Sequence, residues 1–143
     1  MRKIVPVLLI VLLVPIGYYM ASKGGGSNGV QDLPSGEGIA LKLDKSSYTP
    51  SDVMVLTLLN NADTNATTSY HFKLYRLEGG EWKEVPVNLM FIEIAVVIEP
   101  GKSWEQKVKL SDLGLTPGHY KIVKEVYLGG TTVKAGAEFD ING

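Results

Sequence analysis

LGLTPGHY, from Leu113 to Tyr120, runs straight into the alternating stretch Lys121-Ile-Val-Lys-Glu-Val-Tyr-Leu128. Pro117 pre-sets its backbone angle and Gly118 allows a sharp entry, so the tyrosine arrives just inside a strand. A tyrosine in that position is the sequence form of a tyrosine corner. Its hydroxyl bonds back to main chain a few residues upstream and fixes the crossing between two packed sheets. Pro117, Gly118 and Tyr120 are therefore read as structural residues, and the fold as all-β.

The flanking sequence has the same texture. Ile39, Leu41 and Leu43 alternate with Ala40 and Lys42, as in a first strand with one buried face. Tyr48-Thr-Pro-Ser-Asp52 is a turn. Met54, Leu56 and Leu58 form the inward set of a second strand that ends at Asn60. Tyr70 to Leu77 reads as a third strand. Glu78-Gly-Gly-Glu81 turns the chain into Trp82-Lys-Glu-Val85, its glycines supplying the positive φ that a tight hairpin needs. After the turn Glu99-Pro-Gly-Lys102, Trp104, Val108 and Leu110 alternate with Glu105, Lys107 and Lys109. Tyr120–Leu128 and Thr131–Ile141 form a last hairpin through Gly129-Gly130. No stretch carries the periodicity of a three-turn helix. Seven or eight strands with turns at this spacing predict a two-sheet β-sandwich over residues 39–143.

The first 22 residues differ. Met1-Arg2-Lys3 precedes an uncharged run from Ile4 to Ala21. As a helix its 18 residues would span roughly 27 Å, close to a hydrocarbon core of about 30 Å. Arg2 and Lys3 would stay cytoplasmic and place everything after Lys23 outside. The expectation is a retained transmembrane signal-anchor over residues 4–21, with cleavage of a signal peptide as the alternative. Tyr19, three positions before a cut after Ala21, makes a poor cleavage site, whereas Pro6 and Pro15 weaken a straight helix. Residues 23–38 (KGGGSNGVQDLPSGEG) contain six glycines and read as a flexible linker.

Composition narrows the chemistry. The chain has 14 basic and 15 acidic residues, mixed along its length, and so no electrostatic footprint for nucleic acid. It has no cysteine, which removes disulfides, thiolate metal sites and a cysteine nucleophile. The two histidines, His71 and His119, lie 48 positions apart, without local metal-ligand spacing. No Gly-x-Ser-x-Gly elbow occurs. Asn60-Asn-Ala-Asp-Thr-Asn65 is oxygen-rich but lacks the spacing of a calcium loop and reads as turn chemistry. No catalytic residue, cofactor or metal is expected. Asn65-Ala66-Thr67 is an N-glycosylation sequon, which makes Asn65 a candidate modification site.

Several of these pieces together resemble the bacterial immunoglobulin-like domains of surface and membrane proteins. They are Tyr48 and Pro50 before the second strand, Asn60 closing it, Trp82 after the Gly-Gly turn, Pro100-Gly101, and Pro117-Gly-His-Tyr-Lys-Ile-Val-Lys124. The resemblance spans roughly Ile39 to Ile141. It implies an immunoglobulin-like sandwich in an exported setting, with neither catalysis nor a common ligand. A weaker similarity, to the intracellular proteinase inhibitors of bacilli, shares the Pro-Gly-x-Tyr turn. It implies an inhibitor that presents a loop such as Thr64 to Ser69.

Val85 to Ile98 stands apart, with only Asn88 and Glu93 strongly polar. The expectation is a segment covered on both sides as it crosses between sheets, with Glu93 pointing outward. The other reading leaves part of it exposed and makes Met90, Phe91 and Val97 a contact surface. The whole then reads as a non-catalytic, membrane-anchored extracytoplasmic binding or accessory module for protein partners at the cell surface or in the membrane. A protease-inhibitor-like domain, anchored or secreted, is the alternative.

Overall fold

The computed structural model describes residues 38–143. The apolar segment 4–21 and all but the last residue of the 23–38 segment lie outside them. Ten strands form in the described part: β1 (Ile39–Leu43), β2 (Ser47–Tyr48), β3 (Val53–Asn60), β4 (Ala66–Thr68), β5 (Lys73–Glu78), β6 (Glu81–Val85), β7 (Val96–Ile98), β8 (Ser103–Lys109), β9 (Gly118–Leu128) and β10 (Thr131–Ile141). A 3-10 turn, Leu110–Asp112, follows β8. None of the described helices is long and apolar enough to cross a membrane.

Two sheets face each other. The smaller is antiparallel, in the order β1-β3-β8. The larger has seven strands along β2-β10-β9-β4-β7, and β5 pairs with β9 and β6. Strand β4 meets the Tyr127–Leu128 end of β9 and β5 meets its Tyr120–Val123 stretch, so the two lie end to end along one edge of β9. The core comes from the alternation on both inner faces. Met54, Leu56 and Leu58 are buried from the small sheet, and Leu74, Ile122, Val126, Phe139 and Ile141 from the large one.

The third strand departs from expectation. It begins at Lys73 instead of Tyr70, and a separate short strand, Ala66–Thr68, precedes it, with residues 69–72 between the two. The Glu78–Glu81 hairpin turns through Gly79 and Gly80 at φ 58° and 84°, a backbone that favours glycine.

Tyr120 closes the corner by donating its hydroxyl to the Thr116 carbonyl at 2.6 Å. Its ring stacks on Phe139 with centroids 5.7 Å apart, and Phe139 meets Tyr48 edge-on at 5.9 Å. Arg76 caps the arrangement, its Nε donating to the Tyr120 hydroxyl at 3.3 Å and its Nη2 to the Pro117 carbonyl at 2.7 Å. Close approach explains Gly118, because a Cβ there would lie 2.7–2.9 Å from the guanidinium. Replacing Tyr120 by Phe keeps the ring packing and removes the bonds. The expected loss is about 1–2 kcal/mol, seen as a lower urea midpoint with an unchanged slope.

Candidate functional site

Residues 86–95, between β6 and β7, have no regular structure, and the segment is not covered on both sides. Met90 is 99% exposed, and Ile92, Ile94 and Val97 are 53%, 56% and 58% exposed. The topology gives the reason. Strand β6 pairs with β5 and β7 with β4, so the chain must pass from one to the other along the margin of the large sheet. The small sheet ends at β8 and cannot shield that margin.

Phe91 turns the other way from Met90. Its ring packs on Phe72 at 5.1 Å and on His71 at 4.6 Å, so it fastens the segment to the sandwich rather than joining the displayed surface. Glu93 is exposed, in the loop rather than on a strand, and its carboxylate meets His71 Nε2 at 3.1 Å. At the other end of the segment, buried Asn60 donates its amide to the Ile98 carbonyl at 2.8 Å and to the Thr64 carbonyl at 2.9 Å. The same side chain accepts the Ala62 N–H at 2.9 Å. Asn60 is thus a structural tie between the turn and β7.

What seats Phe72 and His71 is a residue that the sequence reading passed over. Lys124 is fully buried inside the sandwich. Its ammonium donates to the carbonyls of Ser69 and His71 at 2.5 and 2.8 Å and to Gln106 Oε1 at 2.9 Å. Gln106, on β8 of the opposite sheet, passes its own amide N–H to the Tyr70 carbonyl at 2.9 Å. Trp104 covers the site, its ring centroid 5.4 Å from Nζ. Three acceptors match the three N–H bonds of an ammonium. Among the described residues no carboxylate pairs with it, and burial pushes Lys124 down to about 7. The network bridges both sheets and holds open the break at residues 69–72. A signal existed: Tyr120, Ile122, Lys124 and Val126 share one face of β9 at period two.

The remaining candidates are structural. His119 lies on β9, with Nδ1 2.6 Å from Asp140 and Nε2 2.6 Å from Glu138, so each ring nitrogen has its own carboxylate. Burial acts to lower its pKa, but Asp140 and Glu138 outweigh that and raise it. Among the described residues no three His, Asp or Glu groups are placed to hold a metal. Asn65 is exposed in the turn before β4. Thr64 to Ser69 is not a presented loop, because Ala66–Thr68 forms β4, with Ala66 and Thr68 buried. An open cleft of about 280 Å³ lies between the β5–β6 hairpin and residues 113–116, and Arg76, which lines it, is already bonded to Tyr120, Pro117 and Glu78.

Two facing sheets and a tyrosine corner are features of an immunoglobulin-like sandwich. Residues 35–140 match the model of the bacterial Ig-like domain family, and the chain belongs to that family. No curated protein matches the sequence. Solved structures that match part of the chain include the alkylpurine DNA glycosylase AlkC of Pseudomonas fluorescens, at 13% identity and TM-score 0.39, over 74% of this chain and 31% of that one. The soluble domain of PmoD from Methylocystis matches at 9% identity and TM-score 0.40, over 73% and 90%. The archaellum periplasmic stator protein FlaG of Sulfolobus acidocaldarius matches at 23% identity and TM-score 0.38, over 69% and 97%. The chain thus spans less than a third of the glycosylase. The low scores carry no functional implication.

Lys124 gives stability a pH dependence of definite sign. An unfolded lysine titrates near 10.5 and this one near 7, so between those values the unfolded chain binds more protons and stability rises with pH. In Lys124→Met that contribution vanishes. Urea unfolding from pH 6 to 10 should show the difference between wild type and variant moving in favour of wild type above pH 7, by at most about 1.4 kcal/mol per pH unit. A difference that stays flat over this range would contradict the assignment.

Proposed function

We propose that this chain is a non-catalytic, membrane-anchored extracytoplasmic binding module whose contact surface is the β6–β7 margin. The observation that carries the proposal is the contrast between margins. Three other margins are guarded by charge, Lys42 on β1, Glu105, Lys107 and Lys109 on β8, and Glu81, Lys83 and Glu84 on β6, and the β2 margin is only two residues long. Such charges are how sheet edges resist unwanted association. Strand β7 has none, and the segment leading to it displays Met90, Ile92 and Ile94. An exposed apolar patch on a stable domain marks a contact site.

Membership of the bacterial Ig-like family supports a surface setting. The charge-free run from Ile4 to Ala21 behind Arg2 and Lys3 supports the anchor and its orientation. The non-catalytic reading draws on the titratable side chains of the described residues. Glu93 meets His71, Asp140 and Glu138 meet His119, and the buried lysine is closed in by main-chain oxygens. The inhibitor alternative loses its presenting loop to β4.

The test is fractionation of cells that express the full chain with a carboxy-terminal tag. The protein should stay in the membrane pellet after alkaline carbonate extraction, and protease should remove its domain only once the outer face of the membrane is accessible. Recovery from the medium as a chain shortened at Ala21 would overturn the anchor.

A further inference from the structure

We propose that the displayed loop dips into the outer face of the bilayer that anchors the chain, with Met90, Ile92 and Ile94 as the inserted side chains. The inference rests on the anchored reading and goes beyond it by naming what covers the apolar margin: lipid acyl chains.

The position of the anchor is the first argument. Gly38, where the described chain begins, accepts the Asn61 N–H at 2.7 Å, and neighbouring Asn60 bonds Ile98 at the end of β7. The connection to the anchor therefore enters at the end of the sandwich towards which the margin runs. Met90 is eight residues from Ile98, at most about 28 Å away along an extended chain. The 16 residues from Lys23 to Gly38 can extend to no more than about 55 Å. The tether thus keeps the whole domain, the loop included, within reach of the membrane surface. Tethering over such distances gives an effective concentration on the order of millimolar, enough to populate a weak insertion.

The chemistry of the patch is the second argument. Protein contact centres are dominated by Trp, Tyr and Arg, and the displayed set contains none of them. Its three side chains have no hydrogen-bonding group to pair across a protein interface, so they suit a solvent of hydrocarbon. The acid among them, Glu93, is held by His71. Phe91, packed on Phe72, keeps the loop raised from the sheet margin. No lysine or arginine lies between Glu84 and Ile98, so insertion should need no anionic headgroups.

The absence of native cysteine makes the test direct. Met90→Cys and, as a control on the 3-10 turn at the end of the sandwich opposite Gly38, Ser111→Cys are made in the full chain. Both are labelled with the environment-sensitive fluorophore NBD and reconstituted at low density into phosphatidylcholine vesicles. Both positions are exposed, so labelling should leave the fold intact. At position 90 the emission should shift to the blue, be quenched at least twofold more by lipid-borne doxyl groups than at 111, and resist aqueous iodide. Adding Ile94→Asp should restore iodide access. Iodide access at 90 equal to that at 111 overturns the proposal. So does protection from iodide without doxyl quenching, which would mean cover by protein. Protection that appears only with phosphatidylglycerol also overturns it. Flotation of the vesicles after a carbonate wash reports separately on the anchor. Protein that floats while position 90 stays aqueous defeats the loop inference alone, and protein that fails to float defeats both.

Discussion

A lysine ammonium bonded by three oxygens inside the sandwich is the constraint on which the functional margin depends. An unpaired charge in an apolar interior is costly, and Lys124 is held without a counter-ion among the described residues. Main-chain carbonyls supply two of the acceptors, so the backbone at Ser69 and His71 must turn towards the core and leave the ladder with β9. That is why β4 and β5 are two strands. The break turns Phe72 inward and His71 outward, and the pair forms the seat for Phe91. The loop that Phe91 fastens then stands clear of the sheet with Met90 at its crest. A single inward lysine thus links the packing of the core to the shape of an exposed surface.

Two other ties complete the frame. Tyr120 locks the corner to Thr116, and Arg76 locks the corner to β5. Asn60 joins the last residue of β3 to the last of β7 across the sheets. These bonds, with Lys124 to Gln106, fasten the two layers at both ends and in the middle. A domain of this size can do without disulfides when apolar burial is backed in this way. The margin between the ties is where the chain is free to leave regular structure, and its exposed apolar residues fall there.

Much of this was legible in the sequence. The alternation of Met54, Leu56 and Leu58 gave their strand and its inward face, because a period of two is a local property. The Gly79-Gly80 hairpin and the Pro-Gly-x-Tyr corner were readable because turn geometry restricts residue type. The β4–β5 break was not readable. Its cause lies more than 50 residues away and acts through carbonyls, which every residue carries. The exposure of Met90, Ile92 and Ile94 was equally hidden, because an apolar run reads the same whether a second sheet covers it or stops short. Phe91 was grouped with Met90 by composition and separated from it by packing. Lys124 itself could have been noticed, since it shares an inward register with Tyr120, Ile122 and Val126.

The central claim is that Lys124 shapes the margin rather than merely filling the core, and hydrogen exchange on the Lys124→Met variant tests it most directly. The account predicts faster exchange in β4, in residues 69–72 and in β7, with the β9–β10 hairpin still protected. Unchanged protection in those segments, or an equal loss throughout the sandwich, would contradict it.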